Sequence, residues 1–160
     1  MRLSLLTWAV VISLPILHFL LHVGLGLGPW APDLLTVGLL VLAREVRPSV
    51  AAGAGFVFGL LEDAFSILAF GTNTVALTVV GILGARSRDL FVGESLVFLV
   101  SYLALGVWLR YALQWLVSGS ALRGPAAELL FQAPLAAVYS AGVGILILRV
   151  SGIWREERAR

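Results

Sequence analysis

Long apolar segments, separated by short polar breaks, recur from one end of this 160-residue sequence to the other. Hydrophobic residues make up 60% of the chain and charged residues 12%, and the mean hydropathy is +1.01. A soluble domain needs a more polar surface than this composition provides. The pattern predicts a polytopic helical membrane protein. A transmembrane β-barrel would require apolar and polar residues in alternation, and the sequence lacks that alternation.

The apolar runs predict an all-α membrane protein built as a bundle of six transmembrane helices. The second segment is short, about 16 Å for residues 33–43 or about 22 Å if it extends to Arg47, against a hydrocarbon core of about 30 Å. The first is too long for a signal peptide and has no clear cleavage site, so we expect it to be retained. Residues 1–150 are predicted to form one transmembrane domain, and residues 151–160 a short cytoplasmic basic tail. The predicted segments are residues 5–23, 33–43, 49–69, 72–85, 95–117 and 125–148.

The arginines predict the orientation of the bundle. The chain has no lysine and no cysteine, which excludes disulfides and thiol chemistry. In a six-span arrangement nearly all arginines outside the segments fall on one side, which predicts that both termini are cytoplasmic. Nucleic-acid binding is not expected, since it would need a broad basic surface. The arginines on the predicted cytoplasmic side are Arg2, Arg44, Arg47, Arg86, Arg88, Arg149, Arg155, Arg158 and Arg160, and only Arg123 falls in an opposite loop.

The third segment combines a small-residue face with an acidic pair. Gly55 and Gly59 form a GxxxG pattern, which lets helix backbones approach closely in lipid and predicts a packing face. Glu62 and Asp63 follow three and four residues later, near the same stripe. A carboxylate facing hydrocarbon costs about 2.5 to 3.5 kcal/mol. We therefore expect both acids to face protein or a water-filled cavity.

Partners for the acidic pair come from the depth of other polar residues. Arg110 and Asp63 both lie roughly 20 Å from the inner helix ends, and Glu128 lies at a similar level. Arg110 and Gln114 share one i, i+4 row on the fifth segment, and Glu128 and Gln132 share another on the sixth. The sequence thus predicts an intramembrane polar cluster of Glu62, Asp63, Arg110 and Glu128, with His18, Gln114 and Gln132 as neighbours.

Three roles fit such a cluster. In the first, Arg110 neutralises Glu62, Asp63 or Glu128 and fixes how the third, fifth and sixth helices pack. In the second, the polar residues line a cavity open to the outer face, which binds a ligand or a partner's polar group. In the third, a buried carboxylate takes part in a proton relay.

The remaining polar residues point to structural roles. His18 and His22 form HxxxH, but the stretch "HFLLH" lacks the glutamate of a metalloprotease motif, and hydrogen-bonded histidines are favoured over a zinc site. Asp33 is expected to cap the short second helix. No Ser/His/Asp or Cys/His arrangement is evident, so we expect no catalytic residue, no metal and no cofactor.

One stretch resembles a known family. "PDLLTVGLLVLAREVRPSVAAGAGFVFGLLEDAFSILAFGTNTVALTVVGILGARSRD", residues 32–89, covers about a third of the chain. It resembles the rod shape-determining protein MreD family in a Pro-Asp-Leu opening, a basic loop, a Gly-rich helix closing in Asp, a Gly-containing turn and a helix ending in Arg. The matching residues are Pro32, Asp33, Arg44, Gly55, Gly59, Asp63, Gly71, Asn73 and Arg86.

The resemblance implies a non-enzymatic subunit of the bacterial elongation machinery in the cytoplasmic (inner) membrane. Such proteins bind MreC and connect to RodA, penicillin-binding protein 2 and MreB. The family is distantly similar to the S-components of energy-coupling-factor transporters, whose six-helix bundles hold an outward-facing pocket. The alternative is therefore a substrate-binding component for uptake of a vitamin or small metabolite. The first segment, "TWAVVISLPILH", lacks the AxxxA by which many S-components grip their transporter, which weakens that alternative.

Overall fold

The computed structural model describes residues 5–65, 70–87, 96–120 and 128–151, and within these ranges all regular structure is helical. The expected all-α class is confirmed. In the described part of the chain, three helical stretches are long and apolar enough to cross a membrane: Thr7–Gly24, Leu96–Val117 and Leu129–Val150. The helices are α1 (Leu5–Phe19), α2 (Leu34–Glu45), α3 (Pro48–Asp63), α4 (Thr72–Ser87), α5 (Leu96–Val117) and α6 (Ala133–Val150), with π-helical turns at Leu20–Gly24 and Glu128–Gln132 and a 3-10 turn at Gly28–Trp30.

Helix α2 is the centre of the bundle. Its residues from Leu34 to Ala43 are all buried, and it contacts each of the other five α-helices. A helix that is enclosed on every side can be apolar all round and has no face to expose to lipid. At 12 residues it is about 18 Å long. Because its neighbours surround it, its length does not have to match the thickness of a bilayer.

The helices alternate in direction, so that α2, α4 and α6 run one way and α1, α3 and α5 the other. When two helices pack antiparallel, moving along the contact raises the residue numbers on one helix and lowers them on the other. Such contacts are Leu14 with Gly38 and His18 with Leu35 (α1 and α2), Ala51 with Gly81 and Gly55 with Leu77 (α3 and α4), Tyr102 with Leu40 and Arg110 with Asp33 (α5 and α2), and Asn73 with Arg110 and Gly84 with Tyr102 (α4 and α5). The parallel contacts are Asp33 with Ser140 and Val37 with Gly144 (α2 and α6).

This alternation gives the bundle two chemically different ends. One end, which we call the arginine end, carries Arg44, Arg86 and Arg149 in the last turns of α2, α4 and α6, and Arg47 just before α3. The buried acidic residues lie at the other end, where α2 and α4 begin and α3 finishes. The basic and acidic side chains of the described bundle are thus largely separated along its axis.

Candidate functional site

Arg110 lies at the centre of a buried polar network. Its side chain is only 4% exposed and points from α5 toward the start of α2. Nη1 donates a hydrogen bond to Asp33 Oδ2 at 2.5 Å, and Nη2 donates to Glu62 Oε1 and, at 3.1 Å, to Asn73 Oδ1. One guanidinium therefore joins the start of α2, the last turn of α3, the first turn of α4 and the middle of α5. We call Asp33, Glu62, Asn73 and Arg110 the Arg110 network.

Asp33 has two structural tasks at once. It precedes α2 and caps it, because Oδ1 accepts the Thr36 N–H at 3.0 Å and Oδ2 accepts the Thr36 hydroxyl at 2.7 Å. Its own N–H donates to the Ser140 hydroxyl of α6 at 2.9 Å. The sequence predicted the cap but not the ion pair with Arg110. The sequence did contain a signal for this ion pair, since Asp33 precedes a helix that begins at the end of the bundle where Arg110 also lies.

Helices α3 and α4 pack backbone to backbone through the GxxxG residues. A Cβ atom on Gly55 would lie 2.3 Å from the Leu77 carbonyl oxygen, and one on Gly59 would lie 2.3 Å from Thr74 Cα. No side chain fits at either position without moving α4. The close approach also brings the last turn of α3 against the first turn of α4, where Asp63 is placed.

Asp63 caps α4 and makes no bond to Arg110, which corrects the expectation that it belongs to the ion-paired cluster. Oδ1 accepts the Asn73 N–H at 3.1 Å, and Oδ2 accepts the Thr74 N–H at 2.9 Å and the Thr74 hydroxyl at 2.6 Å. The free N–H groups of a helix start carry partial positive charge and take the place of a cation. Asn73 is the link between the two sites, because it donates to Asp63 and accepts from Arg110.

The predicted neighbours of the cluster lie in different places. Gln114 and Gln132 line a cavity and are not bonded to Arg110. Glu128 begins the π-helical turn before α6, and its side chain lies outside the described part of the chain. His18 is buried, with Nδ1 3.9 Å from Asp33 Oδ1. The structure therefore places His18 beside the Arg110 network and the two glutamines next to it on the cavity side.

The two histidines of the HxxxH pattern stack on one another. Their ring centroids are 4.0 Å apart, and His22 Nδ1 lies 3.1 Å from the His18 carbonyl oxygen. His18 Nδ1 accepts the Leu35 N–H at 3.4 Å. Among the residues that the structure describes, no group of three or more potential metal ligands comes together. These contacts join the end of α1 to the start of α2.

The Arg110 network holds two carboxylates against one guanidinium. In the described ranges, Glu62 Oε2 and Arg110 Nε are buried and have no hydrogen-bond partner. The Glu62 side chain is 19% exposed, more than Asp33 at 1%. Removing one member of a buried ion pair costs about 3–5 kcal/mol, because the other charge is left uncompensated. The arrangement can therefore fix the relative positions of four helices.

A cavity of about 1050 Å³ lies next to the Arg110 network, between α5, α6 and the turn before α2. This volume is at the upper end of the range for small-molecule sites, about 300–1,000 Å³. Two residues that line the cavity also contact the network: Ser140 accepts the Asp33 N–H, and the Tyr111 ring centroid is 5.7 Å from Arg110 Cζ. The main polar and aromatic lining residues are Trp30, Tyr111, Gln114, Trp115, Gln132 and Tyr139.

Comparison of the chain with models of known protein families, with curated proteins and with solved structures finds no match. The Arg110 network, the α3–α4 contact and the cavity are the features from which a function is argued.

Proposed function

We propose that this protein is a non-enzymatic membrane scaffold of the MreD type, a subunit of the bacterial elongation machinery that directs peptidoglycan synthesis. In this role it binds MreC and links MreC to the cell-wall synthases RodA and penicillin-binding protein 2, and to MreB. Its place is the cytoplasmic membrane, which it crosses six times with both termini in the cytoplasm, in an S-component-like bundle.

The observation that carries this proposal is the structural use of the residues that resemble the family. Asp33 caps α2 and forms an ion pair with Arg110. Gly55 and Gly59 allow α3 to pack closely against α4, and Asp63 caps α4. Asn73 joins the last of these sites to the Arg110 network. Each residue sets how one helix meets another. A shared pattern of such residues favours a shared bundle, which is the basis for extending the family role to this chain.

The use of the buried polar groups favours a scaffold over an enzyme. Both Nη atoms of Arg110 donate hydrogen bonds to side chains outside α5. The Asp63 carboxylate accepts its hydrogen bonds from the first turn of α4. A catalytic acid or base needs a substrate within hydrogen-bond reach. The hydrogen-bonding positions of Arg110 and Asp63 are instead occupied by other residues of the protein.

The direction of the helices favours the proposed topology. Alternating helices carry the chain from one end of the bundle to the other, and the arginine end collects Arg44, Arg47, Arg86 and Arg149. Positive-inside bias assigns that end to the cytoplasm. Helices α3 and α4, each of 16 residues, would span about 24 Å. That length is compatible with crossing where the bilayer is locally thin.

The test is co-purification with MreC. The affinity-tagged chain is co-expressed with MreC of a rod-shaped bacterium, extracted in mild detergent and captured by its tag. We expect MreC in the eluate at about one copy per chain.

The control is Gly59→Leu, whose side chain cannot fit against Thr74 unless α3 moves away from α4. If MreC is captured through the folded bundle, this variant retains much less of it. A well-folded chain that elutes without MreC would contradict the scaffold proposal.

A second candidate function is supported by the cavity. A space of about 1050 Å³ at the end of the bundle opposite the arginines is what a substrate-binding component for vitamin or small-metabolite uptake would need. Native mass spectrometry of the purified chain separates the two functions. A metabolite that co-purifies at one copy per chain favours uptake, and capture of MreC favours the scaffold.

A further inference from the structure

We propose that the cavity between α5 and α6 binds a neutral glycosyl group. The inference rests on the lining of the cavity, and it holds whether the chain is a scaffold or an uptake component. Three features of the lining carry it: the lack of charge, the combination of aromatic rings with amide and hydroxyl groups, and the exposure of the rim.

The described lining favours an uncharged ligand. Of the described residues around the cavity, none carries a formal charge. Arg110 lies behind Tyr111, but it is 4% exposed and its terminal nitrogens are already bonded to Asp33, Glu62 and Asn73. A charged ligand would lose its hydration without gaining a counter-charge, which is costly. The described lining residues therefore favour a neutral occupant.

The polar groups of the lining suit hydroxyl groups. The Gln114 and Gln132 amides each offer both hydrogen-bond donors and acceptors. The Ser118 and Ser120 hydroxyls lie 2.8 Å apart and bond to one another, which leaves them lone pairs that can accept from a ligand. A sugar hydroxyl also donates and accepts, so these side chains can satisfy it in either role. Ser140 also lines the cavity, where its buried hydroxyl accepts the Asp33 N–H. A ligand with several hydroxyl groups matches this wall better than one with a single polar atom.

The aromatic groups of the lining suit the face of a sugar ring. Trp30, Tyr111, Trp115 and Tyr139 each combine a flat apolar surface with one polar atom. A pyranose ring has an apolar C–H face and a polar rim of hydroxyls, so the same ligand uses both kinds of lining residue.

The rim of the cavity allows entry from two directions. Leu135 is 73% exposed on α6, a helix long enough to cross the membrane, and Trp30 is 85% exposed in the turn before α2. Both line the cavity. A glycosyl group can reach it as the headgroup of a membrane lipid, past Leu135, or as a soluble glycoside, past Trp30.

The test uses the whole chain in nanodiscs of phosphatidylcholine. Tryptophan fluorescence is followed as three probes are added: glucose, octyl glucoside, and monoglucosyl diacylglycerol built into the disc. We expect a saturable change with at least one glucosyl probe. A response to glucose indicates a soluble glycoside, and a response to the lipid-linked probes alone indicates a headgroup. No saturable response to any of the three would overturn the proposal.

The specificity of the lining is tested with variants and with a charged lipid. Gln114→Leu combined with Gln132→Leu should raise the Kd at least tenfold, about 1.4 kcal/mol. Trp115→Phe should weaken binding as well, whereas Trp8→Phe, on the exposed face of α1 and absent from the lining, should not. Monodisperse elution and unchanged thermal unfolding establish that each variant is folded.

An unchanged Kd in the double glutamine variant would refute the site. So would equal binding of phosphatidylglycerol, whose charged headgroup the lining cannot neutralise.

Discussion

Arg110 is shared between Asp33 and Glu62, two carboxylates from different helices. A guanidinium is suited to this position because its fork of N–H donors can bond two or three acceptors in fixed directions. Burial makes each of these bonds matter, since a charge left without its partner cannot recover its hydration. At this scale the fold depends on one side chain that holds several helices together.

Replacing Arg110 by Met should lower the free energy of unfolding by about 3–5 kcal/mol, because Asp33 and Glu62 lose their counter-charge. Adding Glu62→Gln to that variant should recover part of the lost stability, because it removes one of the two buried carboxylates that no longer have a counter-charge. The measurement is reversible unfolding in mixed detergent micelles, followed by circular dichroism.

Glu45→Gln is the matched control for that experiment. Glu45 ends α2 at the arginine end, about 18 Å along the helix from Asp33. Its substitution should be additive with Arg110→Met to within about 0.5 kcal/mol. If Glu62→Gln recovers no more stability than Glu45→Gln, the ion pair does not hold the bundle together.

The acidic pair shows what sequence can and cannot predict at a single residue. Depth along the helices indicated that Arg110 meets an acidic residue, and it left Glu62, Asp63 and Glu128 open as partners; the structure shows Glu62 bonded to Arg110. The different role of Asp63 does not follow from depth. Adjacent residues on a helix point about 100° apart, so neighbours do not face the same partner. Which acid faces α5 and which faces α4 is decided by the close α3–α4 contact, a tertiary fact.

At the scale of the helix, each of the six predicted segments overlaps one α-helix in the described ranges, but the position of α2 was not predictable. A run of apolar residues indicates burial in lipid or in protein without distinguishing them. The shortness of α2 is explained by its five neighbours, which cover Leu34–Ala43 on every side. Those contacts join distant parts of the chain, and no local pattern encodes them.

The α3–α4 pair gives the prediction that belongs to this scale. Gly59→Ala should lower the free energy of unfolding by about 1–3 kcal/mol, because the new Cβ would meet Thr74 Cα at 2.3 Å. Gly53→Ala on the same helix is the matched control, since a Cβ there has no atom within 4 Å. The same unfolding assay compares the two variants. Equal stability of the Gly59 and Gly53 variants would contradict close backbone packing.

For the whole molecule, the important feature is the separation of the arginine end from the end with the Arg110 network and the cavity. Asp33, Asp63 and the cavity residue Trp30 all lie where α2 and α4 begin or just before, whereas Arg44 and Arg86 lie where these helices finish. If the arginine end is cytoplasmic, the cavity lies near the outer surface of the membrane. The orientation therefore decides from which side a ligand or partner domain meets the cavity.

The orientation can be tested directly because the chain has no cysteine. Single cysteines are placed at Ser49, in the first turn of α3 near the arginine end, and at Leu25, exposed in the connection that leads to α2. Neither substitution removes an arginine, so the charge bias is unchanged. With a thiol reagent that does not cross membranes, Leu25→Cys should be labelled in intact cells with the outer membrane permeabilised. Ser49→Cys should be labelled only once the inner membrane is opened. The reverse pattern would place the Arg110 network and the cavity on the cytoplasmic side, and labelling of both sites in intact cells would contradict a membrane-spanning bundle.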